Sequence, residues 1–256
     1  MRIAYTADLH LEFLTSNLQK KFAREFLVQD LAGMFCVQLD KTACDFAVVA
    51  GDTSHCVADV ARFFSEVDKS VSKPIYVVLG NHDYWNWQSS LVRNYEELPN
   101  KNVGDIETWF RDKFSQFKNV KLLIAGDKYY YEDLKIIGDC GFSAYNNRFN
   151  FRQGIYRATI NNAIQEKELT DRWRNFYKRE TFTDEKTLII THHPPTDWGQ
   201  TYEPDYDERF YIFGHVHDID ERVSSGVEIT KTGNYYGDAA NGYSKSGIEF
   251  KVVVLY

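Results

Sequence analysis

DFAVVAGDTSH, residues 45–55, is the stretch on which the fold turns. Phe46 to Ala50 run apolar without the alternation of a half-exposed strand and stop at Gly51-Asp52, so the segment reads as a buried strand feeding a polar loop. The same arrangement recurs in RIAYTADLH (2–10), PIYVVLGNHD (74–83), TLIITHHPP (187–195) and FYIFGHVH (210–217). Between the first two strands, Leu18, Phe22, Phe26 and Leu27 recur at helical spacing within roughly 18–39, and a second helix is expected over about 57–70. Strand followed by helix followed by strand is the rhythm of a layered α/β protein.

Beyond GNHD the pattern changes. A helix is expected near 105–117, then the strand VKLLIAG (120–126), then a hairpin in YYYEDLKIIGDCGF (129–142) with Glu132-Asp133 at its turn, then a helix over 154–180. We read about 84–182 as an elaboration on the core, placed to act as a cap. GVEITKTG (226–233) and IEFKVVVLY (248–256) are β-rich, joined by the loop NYYGDAANGYSKSG (234–247), and are expected to close a sheet. No repeat or linker divides the chain, so residues 1–256 are expected to form a single domain.

The bulk properties exclude several classes. A formal net charge of −7 disfavours a broad hold on nucleic acid, whose footprint is a basic face. No run approaches the ~18 apolar residues of a membrane span, and the start MRIAYTADLHLEF carries acidic residues where a signal peptide would be apolar, so a cytoplasmic location is expected. Cys36, Cys44, Cys56 and Cys140 lack metal-finger or CxxC spacing and read as reduced, buried side chains.

The chemistry gathers at the strand ends. All seven histidines (His10, His55, His82, His192, His193, His215 and His217) lie in or beside strand-to-loop transitions, where open α/β sheets bind ligands. Asp8 and His10, two apart, point the same way in an extended segment, although such a pair is equally a solvated turn. Asp52 offers two oxygens, enough to bridge two cations, and Asn81 offers an amide oxygen without adding charge. His215 and His217 again stand two apart, whereas the adjacent His192 and His193 point to opposite sides of an extended strand, so only one readily becomes a ligand.

These five stretches, in this order, resemble the signature of the calcineurin-like metallophosphoesterase superfamily: Asp-x-His, Gly-Asp, Gly-Asn-His-Asp, His and Gly-His-x-His, across residues 8–217. The resemblance implies a four-layer α-β-β-α sandwich of two sheets flanked by helices, with the C-terminal β-rich segments in the second sheet. It implies two divalent cations, one on Asp8, His10, Asp52 and His217 and the other on Asp52, Asn81, His192 and His215, with Asp52 as the bridge. It also favours His192 over His193 as the ligand.

The expected reaction is hydrolysis of a phosphomonoester or phosphodiester, on a small molecule or nucleotide, by a hydroxide that bridges the metals. The ligand set suits Mn, Fe or Zn. His82 is the expected proton donor to the leaving oxygen, with Asp83 orienting its ring or raising its pKa. His193 and His55 are candidate substrate contacts, His55 being equally a helix-start residue. Arg148 and Arg152 could grip a phosphate or simply face solvent. A serine/threonine protein phosphatase and a non-catalytic metal-binding scaffold of the same fold are the alternatives.

Overall fold

The computed structural model describes residues 1–85, 87, 91, 98–99, 102–142, 163–195, 197–198, 209–215, 234–237 and 247–255. In chain order the first elements are β1 (Arg2–Thr6), α1 (Leu11–Phe22), α2 (Val28–Lys41), β2 (Phe46–Ala50), α3 (Val57–Ser70), β3 (Ile75–Val78), α4 (Val103–Ser115) and β4 (Val120–Leu123). They are followed by β5 (Lys128–Tyr131), β6 (Leu134–Asp139), α5 (Ala163–Thr181), β7 (Thr187–Thr191), β8 (Arg209–Phe213), β9 (Asn234–Gly237) and β10 (Lys251–Val254).

Two sheets result, ordered β10-β1-β2-β3-β4 and β5-β6-β7-β8-β9. Each is mixed: β1 to β4 and β6 to β9 are parallel, while β10 and β5 join antiparallel. Alternation along each strand then builds the layers. Ile3, Phe46, Val48 and Val78 of the first sheet meet Leu134, Ile136, Leu188 and Ile190 of the second. The opposite faces bury Ala47, Val49 and Val77 against the first four helices, and Ile137, Ile189 and Tyr211 against Trp173, Phe176 and Tyr177 of α5. This is the α-β-β-α sandwich, and burial on both faces is why β2 and β7 carry no polar alternation.

Several expected elements shift. The single helix over 18–39 is two, because Ala23 turns left-handed (φ 51°) and ends α1 with its N–H on the Gln19 carbonyl; the Asp30 carboxylate then accepts the Leu27 N–H at the start of α2. Phe22, the last residue of α1, and Leu27, just before α2, both counted toward the helical face, are exposed. Residues 84–182, read as an elaboration, supply β4 to the first sheet and β5 and β6 to the second. NYYG, read as loop, is strand β9. The last strand, expected in the second sheet, pairs with β1 in the first, Arg2 opposite Val254, and Val253 enters the core between the sheets. GVEITKTG lies outside the described residues.

A buried charge cluster ties the two halves together. The Arg172 guanidinium on α5 takes both oxygens of Glu107 on α4 (2.8 and 2.7 Å) and stands 3.5 Å from Asp139 at the end of β6, while the Tyr84 hydroxyl donates to Glu107 (3.1 Å). Without Arg172, two carboxylates that are nearly or fully buried would face each other. Arg172→Met is expected to cost roughly 2–3 kcal/mol, below the ~3–5 of a fully buried pair because the guanidinium is partly solvated. An unchanged thermal midpoint in that variant would show the cluster to be dispensable.

Candidate metal centre

Asp8, Asp52, Asn81, His192 and His215 each follow the carboxyl end of a parallel strand, respectively β1, β2, β3, β7 and β8. The loops after β1 and β2 are joined by three backbone bonds: Asp8 N–H to Gly51 C=O, His10 N–H to Asp52 C=O and Leu11 N–H to Thr53 C=O. The chain turns sharply there. Among the described residues six non-glycines have positive φ, and four of them are Asp8, His10, Asp52 and His215. Asp8 and His10 are therefore left-handed rather than extended, and it is these turns that bring them toward Asp52.

Asp52 sits at the centre. Its Oδ2 lies 3.8 Å from His10 Nε2 and 3.8 Å from His82 Nε2; its Oδ1 lies 3.3 Å from His192 Nε2 and accepts the His82 N–H at 2.8 Å. Burial would raise its pKa, but His192, His82 and His10 hold the carboxyl well below the usual range. Asp8 Oδ2 accepts the His215 N–H (3.0 Å), and Asp8 Oδ1 stands 4.0 Å from His10 Nε2.

His192 shows how the donors fit a cation. Its Nδ1 is 2.9 Å from the Ala50 carbonyl, which fixes the ring proton there in the neutral form, so Nε2 faces Asn81 Oδ1 (3.0 Å), His215 Nδ1 (3.2 Å) and Asp52 Oδ1 (3.3 Å). Electron-rich atoms at such distances repel unless positive charge is shared among them. In the protein's own field that charge is a proton: burial opposes it, yet Asp52, Asp8 and the Ala50 carbonyl raise His192 to about 9. Among the described residues, ligand atoms come within 4.8 Å of one another in three groups, His10-Asp52-His82, Asp8-Asp52-His192 and His192-His193-His215, each able to hold a metal ion.

Three expectations change. His192 and His193 are not separated by strand alternation: both follow the end of β7, both donate backbone N–H to the Cys140 carbonyl (3.1 and 2.9 Å), and both rings are buried. His193 has its ring 4.3 Å from that of His215. Asp83 does not orient His82. Its carboxylate accepts the N–H groups of Thr53 (2.9 Å), Ser54 (3.0 Å) and Gly80 (2.7 Å), clamping the β2 and β3 loops together, while burial and Asp52 push it up to about 7. Nor is the His82 pKa raised, since burial pushes it down to about 4 with only partial compensation from Asp52.

The His82 ring stacks on Trp85 (3.7 Å between centroids), Trp85 meets Trp87 at 4.6 Å, and Trp87 meets His55 at 5.4 Å. Glu12, outside the expected site residues, stands 3.5 Å from His10 Nδ1 and 3.3 Å from His55 Nδ1. The Asp8, His10, Glu12 alternation was the available signal. His217, Arg148 and Arg152 lie outside the described residues.

In the loop after β7, burial pushes the Asp197 carboxyl up to about 8, with Glu166 adding to the rise. The folded chain then holds a proton that the unfolded chain releases near pH ~4. That contribution to stability is complete below pH ~4 and is lost as pH rises through about 8. Asp197→Asn is expected to flatten the slope, gaining at least about 1.4 kcal/mol relative to wild type between pH 5 and 8.5, one pKa unit's worth. Parallel urea-midpoint profiles for the two proteins would contradict this.

The structure is similar to that of a dimetal phosphatase from Danio rerio, at 12% identity over 100% of this chain and 93% of that one, with a TM-score of 0.50. It is also similar to a phosphopantetheinyl hydrolase from Mycobacterium tuberculosis, at 11% identity over 84% and 83%, with a TM-score of 0.48. At these identities the likeness is one of fold. No curated protein sequence matches the chain. No described helix is long and apolar enough to cross a membrane. The calcineurin-like phosphoesterase model matches residues 1–218, which takes in every strand end that carries these candidate ligands, and the chain belongs to that family of metal-dependent phosphoric ester hydrolases.

Proposed function

We propose that the chain hydrolyses a phosphomonoester or phosphodiester of a small molecule or nucleotide at a centre of two divalent cations. Asp8, His10, Asp52 and His217 hold one cation; Asp52, Asn81, His192 and His215 hold the other. The observation that carries this reading is Asp52, whose two oxygens face different histidines and which belongs to both carboxylate-containing ligand groups. Bound cations would supply Lewis acidity, drawing charge from a phosphoryl oxygen and lowering the pKa of an attacking water.

The residues do the rest. Asp83 locks the Gly51-Asp52 and Gly80-Asn81 turns through three backbone bonds, so the bridge and the amide ligand keep their spacing. His82 stands at the margin, its side chain 18% exposed and stacked on Trp85, where its Nε2 can donate to the leaving oxygen. With a pKa near 4 the ring is neutral at physiological pH, so it acts as a neutral N–H donor unless the substrate's own charge recruits a second proton. His193 and His55 are candidates for substrate contact, and Arg148 and Arg152 for gripping the phosphate.

The test is metal removal. Exhaustive chelation is expected to abolish cleavage of both an aryl phosphomonoester and an aryl phosphodiester, and Mn²⁺ is expected to restore whichever was present, with Fe²⁺ and Zn²⁺ compared alongside. Chelator-resistant turnover would sink the reading. Failure on both esters with every metal would favour the scaffold.

A further inference from the structure

Glu12 has no part in the ligand set, yet its position is unusual for a helix-first-turn carboxylate. Most such groups sit in water beside the helix N-terminus. This one is only 6% exposed in its side chain, and Oε1 lies between two imidazoles, 3.5 Å from His10 Nδ1 and 3.3 Å from His55 Nδ1. His10 is fully buried, and its other nitrogen, Nε2, points to Asp52 Oδ2 at 3.8 Å and Asp8 Oδ1 at 4.0 Å. An imidazole can present a lone pair on only one nitrogen, and the partner of the other nitrogen decides which.

We propose that Glu12 is a positioning residue that holds the His10 proton on Nδ1, so that Nε2 is offered to the cation shared with Asp8 and Asp52, and that it ties this ligand to His55. The proposal rests on the two-cation reading above. His55 leans on Trp87, Trp87 on Trp85, Trp85 on His82, and His82 on His10 at 4.6 Å between ring centroids. Glu12 closes that ring of side chains. Its removal therefore releases His10 on the side away from the ligands, and it should act on one cation rather than on both, because His192 is fixed separately by the Ala50 carbonyl.

The test is calorimetric titration of the metal-free full-length chain with Mn²⁺, repeated with Co²⁺ for its absorption spectrum. Wild type is expected to bind two ions. Glu12→Met is expected to weaken one of them by about 10- to 100-fold and to change the Co²⁺ spectrum, with the second ion unaffected. Glu12→Gln, which keeps an acceptor without the charge, should fall between, and His55→Ala should leave both affinities within about twofold. Thermal unfolding of the metal-free proteins guards against a folding defect: if Glu12→Met does not fold, Glu12→Gln carries the comparison.

A merely space-filling residue would lower the unfolding midpoint and leave both affinities unchanged, which would overturn the proposal. Equal losses in Glu12→Met and His55→Ala would also overturn it, by placing the effect in His55. Wild type that binds no ion would defeat the metal reading itself, whereas two wild-type ions with unchanged binding in Glu12→Met and Glu12→Gln would defeat only the role given to Glu12.

Discussion

Asp52→Asn is expected to lower kcat/KM by at least about three orders of magnitude, roughly 4 kcal/mol of transition-state stabilisation. Asn keeps the volume and one oxygen, but it loses the charge and turns an NH₂ toward either the His10 side or the His192 side. Whichever way the amide settles, one ligand group loses its shared acceptor. The substitution is also clean in the backbone. Asp52 has φ 54°, a left-handed conformation that Asn tolerates better than other non-glycine residues, and an amide oxygen can still accept the His82 N–H. The fold should survive while the ion stoichiometry falls from two to one or none. Turnover within tenfold of wild type, with two ions still bound, would mean that Asp52 is not the bridge.

Gly80→Ala is expected to be nearly as damaging for a different reason. A Cβ at Gly80 would collide with the backbone nitrogen and Oδ1 of Asp52, neither of which has a flexible arm with which to yield. Asp83, which accepts the Gly80 N–H, also accepts the N–H groups of Thr53 and Ser54, so the β3 loop cannot back away without breaking that clamp. The expected cost is about 3 kcal/mol, the upper end for overpacking, together with loss of at least one cation and a fall in turnover of about a hundredfold or more. Urea unfolding and metal titration of the same preparation would check both. A variant with wild-type stability and stoichiometry would show that the loops are not in contact as described.

Gly51 and Gly214 extend the same point. A side chain at Gly51 would press on Gly80 N and His192 Nδ1, each at 2.7 Å, and one at Gly214 would press on Ala7 Cβ at 2.6 Å and Asp8 Oδ2 at 2.9 Å. Three strand ends approach so closely that only glycine fits beside the candidate ligands. In the sequence these glycines read as turn residues; their contact with a neighbouring strand's ligand appears only in three dimensions.

What was legible followed from local physics. Strands buried on both faces are short apolar runs, so β1, β2, β3, β7 and β8 stood out, and each is followed by one of the Asp, Asn or His residues that meet in the candidate centre. The hairpin of β5 and β6 was legible from its polar turn. The split between α1 and α2 was not, because a left-handed alanine carries no compositional mark. Nor was the place of β10, whose Val252, Val253 and Val254 would suit an edge of either sheet. Asp83 was misread because adjacency to His82 suggested a contact, whereas its oxygens are taken by three backbone amides.

The class of chemistry is written in the residue order: hard and borderline candidate ligands at the ends of apolar strands, with no thiolate among them. Which of those side chains meet is set by the packing of the two sheets. Asp8 and His215 are 207 positions apart and Ala50 and His192 are 142 apart, and they touch because two sheets stack with their parallel strand ends together. Local periodicity sets which face of a strand is buried. It carries no information about which distant strand will cover that face, and so His192 and His193 took their places only when the sandwich closed.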